Sequence, residues 1–140
     1  MNTIEHTSFI YTLLVIMFLI SGINKISTFN TTVDSLKQKI QSIFNWQETI
    51  SSNIYYAIII MIILLEIIAP IIIINYAITN QYKKEAYYSA IALVGFTIIA
   101  TLVYHFPDFS NYKKSLAFWA NISLIGGLLL LAKTIRKNEA

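Results

Sequence analysis

The sequence predicts an all-α fold: a four-helix transmembrane bundle with an amphipathic interfacial segment between the first two helices. Three observations predict it. The 140 residues are 56% hydrophobic and only 12% charged, whereas a soluble domain carries about 25% charged residues. The mean hydropathy is +0.64. The apolar residues also collect into four runs, at about residues 9–26, 53–78, 86–106 and 115–132, each near the ~20 residues that cross a hydrocarbon core of ~30 Å. Lipid offers the backbone no hydrogen-bond partners, so a spanning run has to be helical. The length fits one domain.

The first run, FIYTLLVIMFLISGINKI, lacks the positive flank and small-residue cleavage pattern of a signal peptide, and reads as a span. The segment after it places Val33, Leu36, Ile40 and Ile43 at helical spacing, against Lys37, Gln38, Lys39 and Gln41. Asn30, Thr31 and Thr32 offer caps, Asp34 falls in the first turn, and the segment ends near Trp46. Such a helix either lies flat in the membrane interface or packs on the ends of its neighbours. The second run contains IIIMIILLEIIAPIIII. By propensity it would be a strand in water, but its length and unbroken apolarity make it a helix. A tight polar loop with Gln81, Lys83, Lys84 and Glu85 leads to the third run, and Pro107, Asp108 and Asn111 precede the fourth. In the fourth, Ala120, Ser123 and Gly127 form a small-residue stripe of the kind that packs helices in lipid. Tyr55, Tyr56, Tyr87, Tyr88, Tyr104 and Trp119 cluster near the run ends, as interfacial anchors do.

Composition excludes several chemistries. With no cysteine, the chain cannot build a disulfide, a thiolate nucleophile or a Cys-ligated metal centre by itself. Its two histidines, His6 and His105, fall on opposite sides of the bilayer, so no intrinsic metal or haem is expected. The pI of about 9.1 reflects cations spread over short loops and the C-terminal tail. That is a membrane pattern and not a nucleic-acid-binding face. Lys25, Lys37, Lys39, Lys113 and Lys114 lie on one side, and Lys83, Lys84, Lys133, Arg136 and Lys137 on the other. Assigning Lys25 to the end of the first helix tips this tie, and predicts that both termini are cytoplasmic.

The polar residues inside the runs carry the functional signal. An ionisable side chain at mid-span costs roughly 2.5–3.5 kcal/mol on insertion scales. Glu66 sits mid-way along the second run with no Asp, Glu, Lys or Arg within ten residues on either side. It must be protonated, paired or turned to a wet cavity. Counting helical rise from the side of the termini puts Lys25 at about 24 Å, His105 at about 28 Å, Asn121 at about 16 Å and Glu66 at about 18 Å. Ser21, Gly22 and Lys25 share one face of the first helix, and Ala90, Thr97, Thr101 and His105 one face of the third. These faces are expected to line a common pocket, with Glu66 and His105 as proton-handling groups and Lys25 and Asn121 as ligand-binding groups. Pro70 removes the N–H that would bond the Glu66 carbonyl, and so loosens the helix beside the acid.

Four stretches, one per span, resemble the signatures of the DoxX-like family of small four-helix membrane proteins. They are FLISGINKISTF, LLEIIAPIIII, TLVYHF and FWANISLIGGLLLL, and the resemblance extends over nearly the whole chain, from the first span to the last. The resemblance implies Lys25, Glu66, His105, Asn121, Gly126 and Gly127 as the family positions. The chain departs from the family in having Ala69, Pro70 and isoleucines where Gly-rich sequence usually follows the acid. It also lacks the basic residue often found near the start of helix one. Members of the family resemble, variously, subunits of quinone-linked oxidoreductases, partners of membrane redox complexes, and cargo receptors or chaperones. The first implication is a redox-associated subunit with a quinone as its only cofactor. The second is a non-enzymatic adaptor or assembly factor for other membrane proteins. Both imply the lipid bilayer and a membrane-protein partner, and transport through four helices would need a homo-oligomer.

Overall fold

The computed structural model describes residues 3–44, 51–106 and 112–137. These form five helices: α1 (Thr3–Ser27), α2 (Phe29–Phe44), α3 (Ser52–Thr79), α4 (Lys83–Tyr104) and α5 (Tyr112–Lys137). Four of them contain stretches long and apolar enough to cross a membrane: Ser8–Ser27, Ser52–Thr79, Lys83–Tyr104 and Ser115–Lys137. Trp46, Pro107, Asp108 and Asn111 lie outside the described residues.

The helices pack in a row that closes at one end. α1 lies along α3, α3 against α4, and α4 along α5. Ser8 donates to the Ala77 carbonyl at 2.6 Å near one end and Lys25 meets Glu66 further along, so α1 and α3 run antiparallel. α1 reaches α5 only briefly, where Leu14 covers Gly127. One apolar core joins all four spans. It includes Tyr11, Val15 and Phe18 of α1, Ile73 and Tyr76 of α3, Ala90 and Leu93 of α4, and Leu128, Leu131 and Ile135 of α5. Phe18 meets Phe96 edge-on, with ring centroids 6.4 Å apart.

α3 shows why a nearly uniform run still has a defined face. Its buried residues are Tyr55, Ile59, Ile63, Glu66, Ala69, Pro70, Ile73 and Tyr76. Steps of three and four residues make one helical stripe, and Glu66 sits on it. The isoleucines between, such as Ile60, Ile68 and Ile71, face outward, as lipid allows. The helix continues unbroken through Pro70.

α2 is a cap packed on its neighbours. Val33 and Leu36 are buried in a second cluster with Tyr55, Ile59 and Ile63, and Ile40 and Tyr104 pack against that cluster. The 28 residues of α3 extend about 42 Å, more than a hydrocarbon core of ~30 Å. α2 packs on the first three turns of that helix. Phe29 stacks on Tyr56 with centroids 5.8 Å apart.

Several local expectations change. Asn30, Thr31 and Thr32 do not cap α2, and its first turn holds no acid. α1 runs into α2 with a single break at Thr28, bridged by Thr28 N–H to the Asn24 carbonyl and Thr32 N–H to the Thr28 carbonyl. α4 begins three residues earlier than expected and ends at Tyr104, while α5 extends to Lys137. Tyr55 is no surface anchor but is 2% exposed beneath α2. The Ala120/Ser123 stripe faces outward. Ser123 turns its hydroxyl onto the Trp119 carbonyl at 3.1 Å, which hides its polarity on its own helix.

Candidate functional site

The site is built where α1 packs tightly on α3. Gly22 permits that packing. A Cβ placed there would lie 3.0 Å from both the Glu66 Cβ and the Ile67 Cγ1, and 3.4 Å from the Glu66 carbonyl carbon. The absent side chain lets the α1 backbone reach the α3 surface. Ser21 and Lys25, one turn apart on α1, then flank the Glu66 carboxylate.

The Lys25 ammonium spans that carboxylate, with Nζ 2.9 Å from Oε1 and 2.8 Å from Oε2. It also donates to Ser21 Oγ at 2.5 Å, and Ser21 Oγ donates in turn to Glu66 Oε1 at 3.2 Å. Three polar groups thus form a closed ring. All three ammonium donors have acceptors, and both carboxylate oxygens are bonded. The Glu66 side chain is 3% exposed and that of Lys25 23%, so the acid is sealed and the ammonium is the accessible edge. Burying either charge alone would be costly, and the attraction in a low-dielectric interior offsets that cost only when geometry is good. Here both oxygens and all three donors are used.

The other two predicted site residues are not part of this ring. His105 is exposed and forms the C-cap of α4, its backbone N–H bonding the Thr101 carbonyl. Asn121 is half-buried on α5. Among the described residues, no hydrogen bond links either one to Lys25 or Glu66. Ala90, Thr97 and Thr101 do face inward as their spacing predicts. Both threonines spend their hydroxyls on their own helix, Thr97 on the Leu93 carbonyl at 2.7 Å and Thr101 on the Thr97 carbonyl at 2.6 Å. Their methyl groups are left for packing. Among the described residues, no group of three or more His, Asp or Glu side chains gathers where a metal ion could be held.

Compared with family models, curated proteins and solved structures, the chain matches none. The functional reading therefore rests on the ring itself. Sequence reasoning placed Ser21 and Gly22 on the Lys25 face as part of a common pocket lining, and assigned neither of them to the ion pair. The signal was their position, four and three residues before Lys25. Ser21 completes the hydrogen bonding, and Gly22 allows the close packing of α1 on α3 beside the ion pair.

Gly126 and Gly127, the two remaining positions on which the sequence resemblance drew, differ in kind. A Cβ on Gly127 would come within 2.9 Å of the Leu14 Cδ1, the mobile end of a side chain. Gly126 has nothing within 4 Å of its own added Cβ and faces outward.

Proposed function

We propose that this chain is a DoxX-like membrane subunit that works beside a membrane redox complex. It binds a small carbonyl-bearing molecule of the quinone headgroup type at the Lys25–Glu66 pair. The observation that carries this reading is a buried carboxylate held by an ammonium that is itself 23% exposed. An intramembrane charge marks a functional site by default.

The residues fit such a headgroup on one condition. Lys25 already has three acceptors, so a ligand oxygen has to replace one of them. The Ser21 hydroxyl is the replaceable one, since its oxygen carries no charge and an ammonium is held less strongly by a neutral oxygen than by a carboxylate. Lys25 then donates to the ligand oxygen and favours negative charge there. Glu66 holds the ammonium in place from behind and serves as the proton-exchanging group at Oε1 or Oε2. A bound quinone would supply two-electron, two-proton chemistry, with the electrons coming from the partner complex. His105 in this reading is an outer proton group, and Asn121 a second hydrogen-bonding side chain.

The test is quinone retained by the purified protein, together with quinone-dependent turnover of the assembled complex. Lys25→Met and Glu66→Gln are expected to lose the bound quinone, and His105→Ala to slow turnover. Full retention and full activity in the Lys25 and Glu66 variants would defeat the reading.

A second reading is favoured by the same ring being complete without a ligand. In it the pair only clasps α1 to α3, and the protein is an adaptor or assembly factor for other membrane proteins. A stable client recovered by pull-down, with no redox turnover, supports this reading. Recovery of no specific client argues against it.

A further inference from the structure

At the opposite end of the bundle from α2, the first turns of α4 and the last turns of α5 line a half-open cavity of about 450 Å³. That is within the roughly 300–1,000 Å³ range of small-molecule sites. Its lining is Lys83, Lys84, Tyr87, Tyr88, Ile135 and Arg136. We propose that this cavity binds the phosphate headgroup of an anionic glycerophospholipid.

Three features select that occupant. The first is charge. The lining holds three cations and no carboxylate, and no ion pair neutralises Lys83, Lys84 or Arg136 among the described residues. The acid of the same turn, Glu85, is exposed and stays outside the lining. The second is position. Lys83 opens one membrane span and Arg136 lies one residue from the end of another, so the cavity is at the level of the lipid headgroups. Basic pockets between spans at this level fit anionic headgroups. The third is the mixture of surfaces. Ile135 is fully buried and Tyr88 is 68% exposed, with the Tyr87 and Tyr88 rings edge-to-face at 5.5 Å. A phosphate meets the cations while the glycerol and the upper acyl chain lie along tyrosine rings that are apolar in body and polar at the tip. A soluble phosphate would use the cations and leave the aromatic wall without a role.

Because anionic lipid is concentrated in the cytoplasmic leaflet, such a site places both termini on that side. The same cations enter the loop-charge count, so a lipid-binding assay tests the orientation by a separate route. The lipid site does not depend on what binds at Lys25 and Glu66.

The test uses the full chain in mild detergent, with thermal stability and native mass spectrometry as readouts. Phosphatidylglycerol is expected to stabilise saturably and to be retained, while phosphatidylcholine and inorganic phosphate are not. Removing one basic residue from an anionic-lipid contact weakens binding roughly fivefold. Lys83→Gln or Arg136→Gln should each do so, and the triple variant K83Q/K84Q/R136Q should lose roughly a hundredfold. Lys133→Gln removes the same charge one turn earlier on α5, outside the lining, and should leave binding unchanged. An equal response to phosphatidylcholine, stabilisation by inorganic phosphate alone, or a triple variant that binds like the parent would each overturn the proposal.

Discussion

Two groups of charges in this small protein are handled in opposite ways. In the middle of the bundle, Lys25 and Glu66 are locked to each other and to Ser21, with the carboxylate almost fully sealed. At the end of the bundle, Lys83, Lys84 and Arg136 share a cavity with no acid in its lining. The difference follows from surroundings. A lone charge at mid-span has neither water nor headgroups to solvate it, so the fold must supply a counter-charge. A cation at the headgroup level finds anions in the membrane itself. The first group finds its partners within the chain, and the second has none in its cavity lining.

The largest effect should come from breaking the sealed pair. Glu66→Leu leaves the Lys25 ammonium without its partner and is expected to cost about 3–5 kcal/mol in reversible unfolding from mixed micelles. Gly22→Ala should be next. Its Cβ would be wedged against the Glu66 Cβ and carbonyl carbon, which belong to or adjoin the α3 backbone and cannot swing away, so overpacking of about 1–3 kcal/mol is expected. Gly127→Ala meets only the mobile Leu14 methyl and should cost clearly less in the same assay. The smallest effect belongs to the basic cavity. Lys84→Gln or Arg136→Gln should change stability in lipid-free detergent by less than about 0.5 kcal/mol. A larger loss would mean that these cations are structural after all, and would erase the contrast.

How far the sequence revealed this depends on the segment. α2 alternates apolar and polar residues at helical spacing, so its buried Val33 and Leu36 and its solvated Lys39 could be read directly. What could not be read was its partner, because the same amphipathic face suits a lipid interface or the side of α3. α3 is apolar all round, so periodicity gives no face, and only Glu66 betrays which stripe turns inward. The Lys25–Glu66 pairing was accessible because helical rise puts both near one depth and a lysine stem is long. Two readings failed for local reasons. His105 was placed on the Thr97–Thr101 stripe, but α4 stops at Tyr104 and the cap residue leaves the helical register. Ala120 and Ser123 looked like a packing stripe, but small residues sit equally well against lipid when their hydroxyls bond back to the helix.

The central claim is that the Lys25 ammonium and the Glu66 carboxylate stabilise each other across α1 and α3. A double-mutant cycle with Lys25→Met and Glu66→Leu, read by unfolding in mixed micelles, tests it most directly. Each single substitution should be strongly destabilising. The double variant should recover much of the loss, because two matched apolar side chains replace a buried pair at little net cost. Losses that simply add would contradict the account, since the two charges would then act independently.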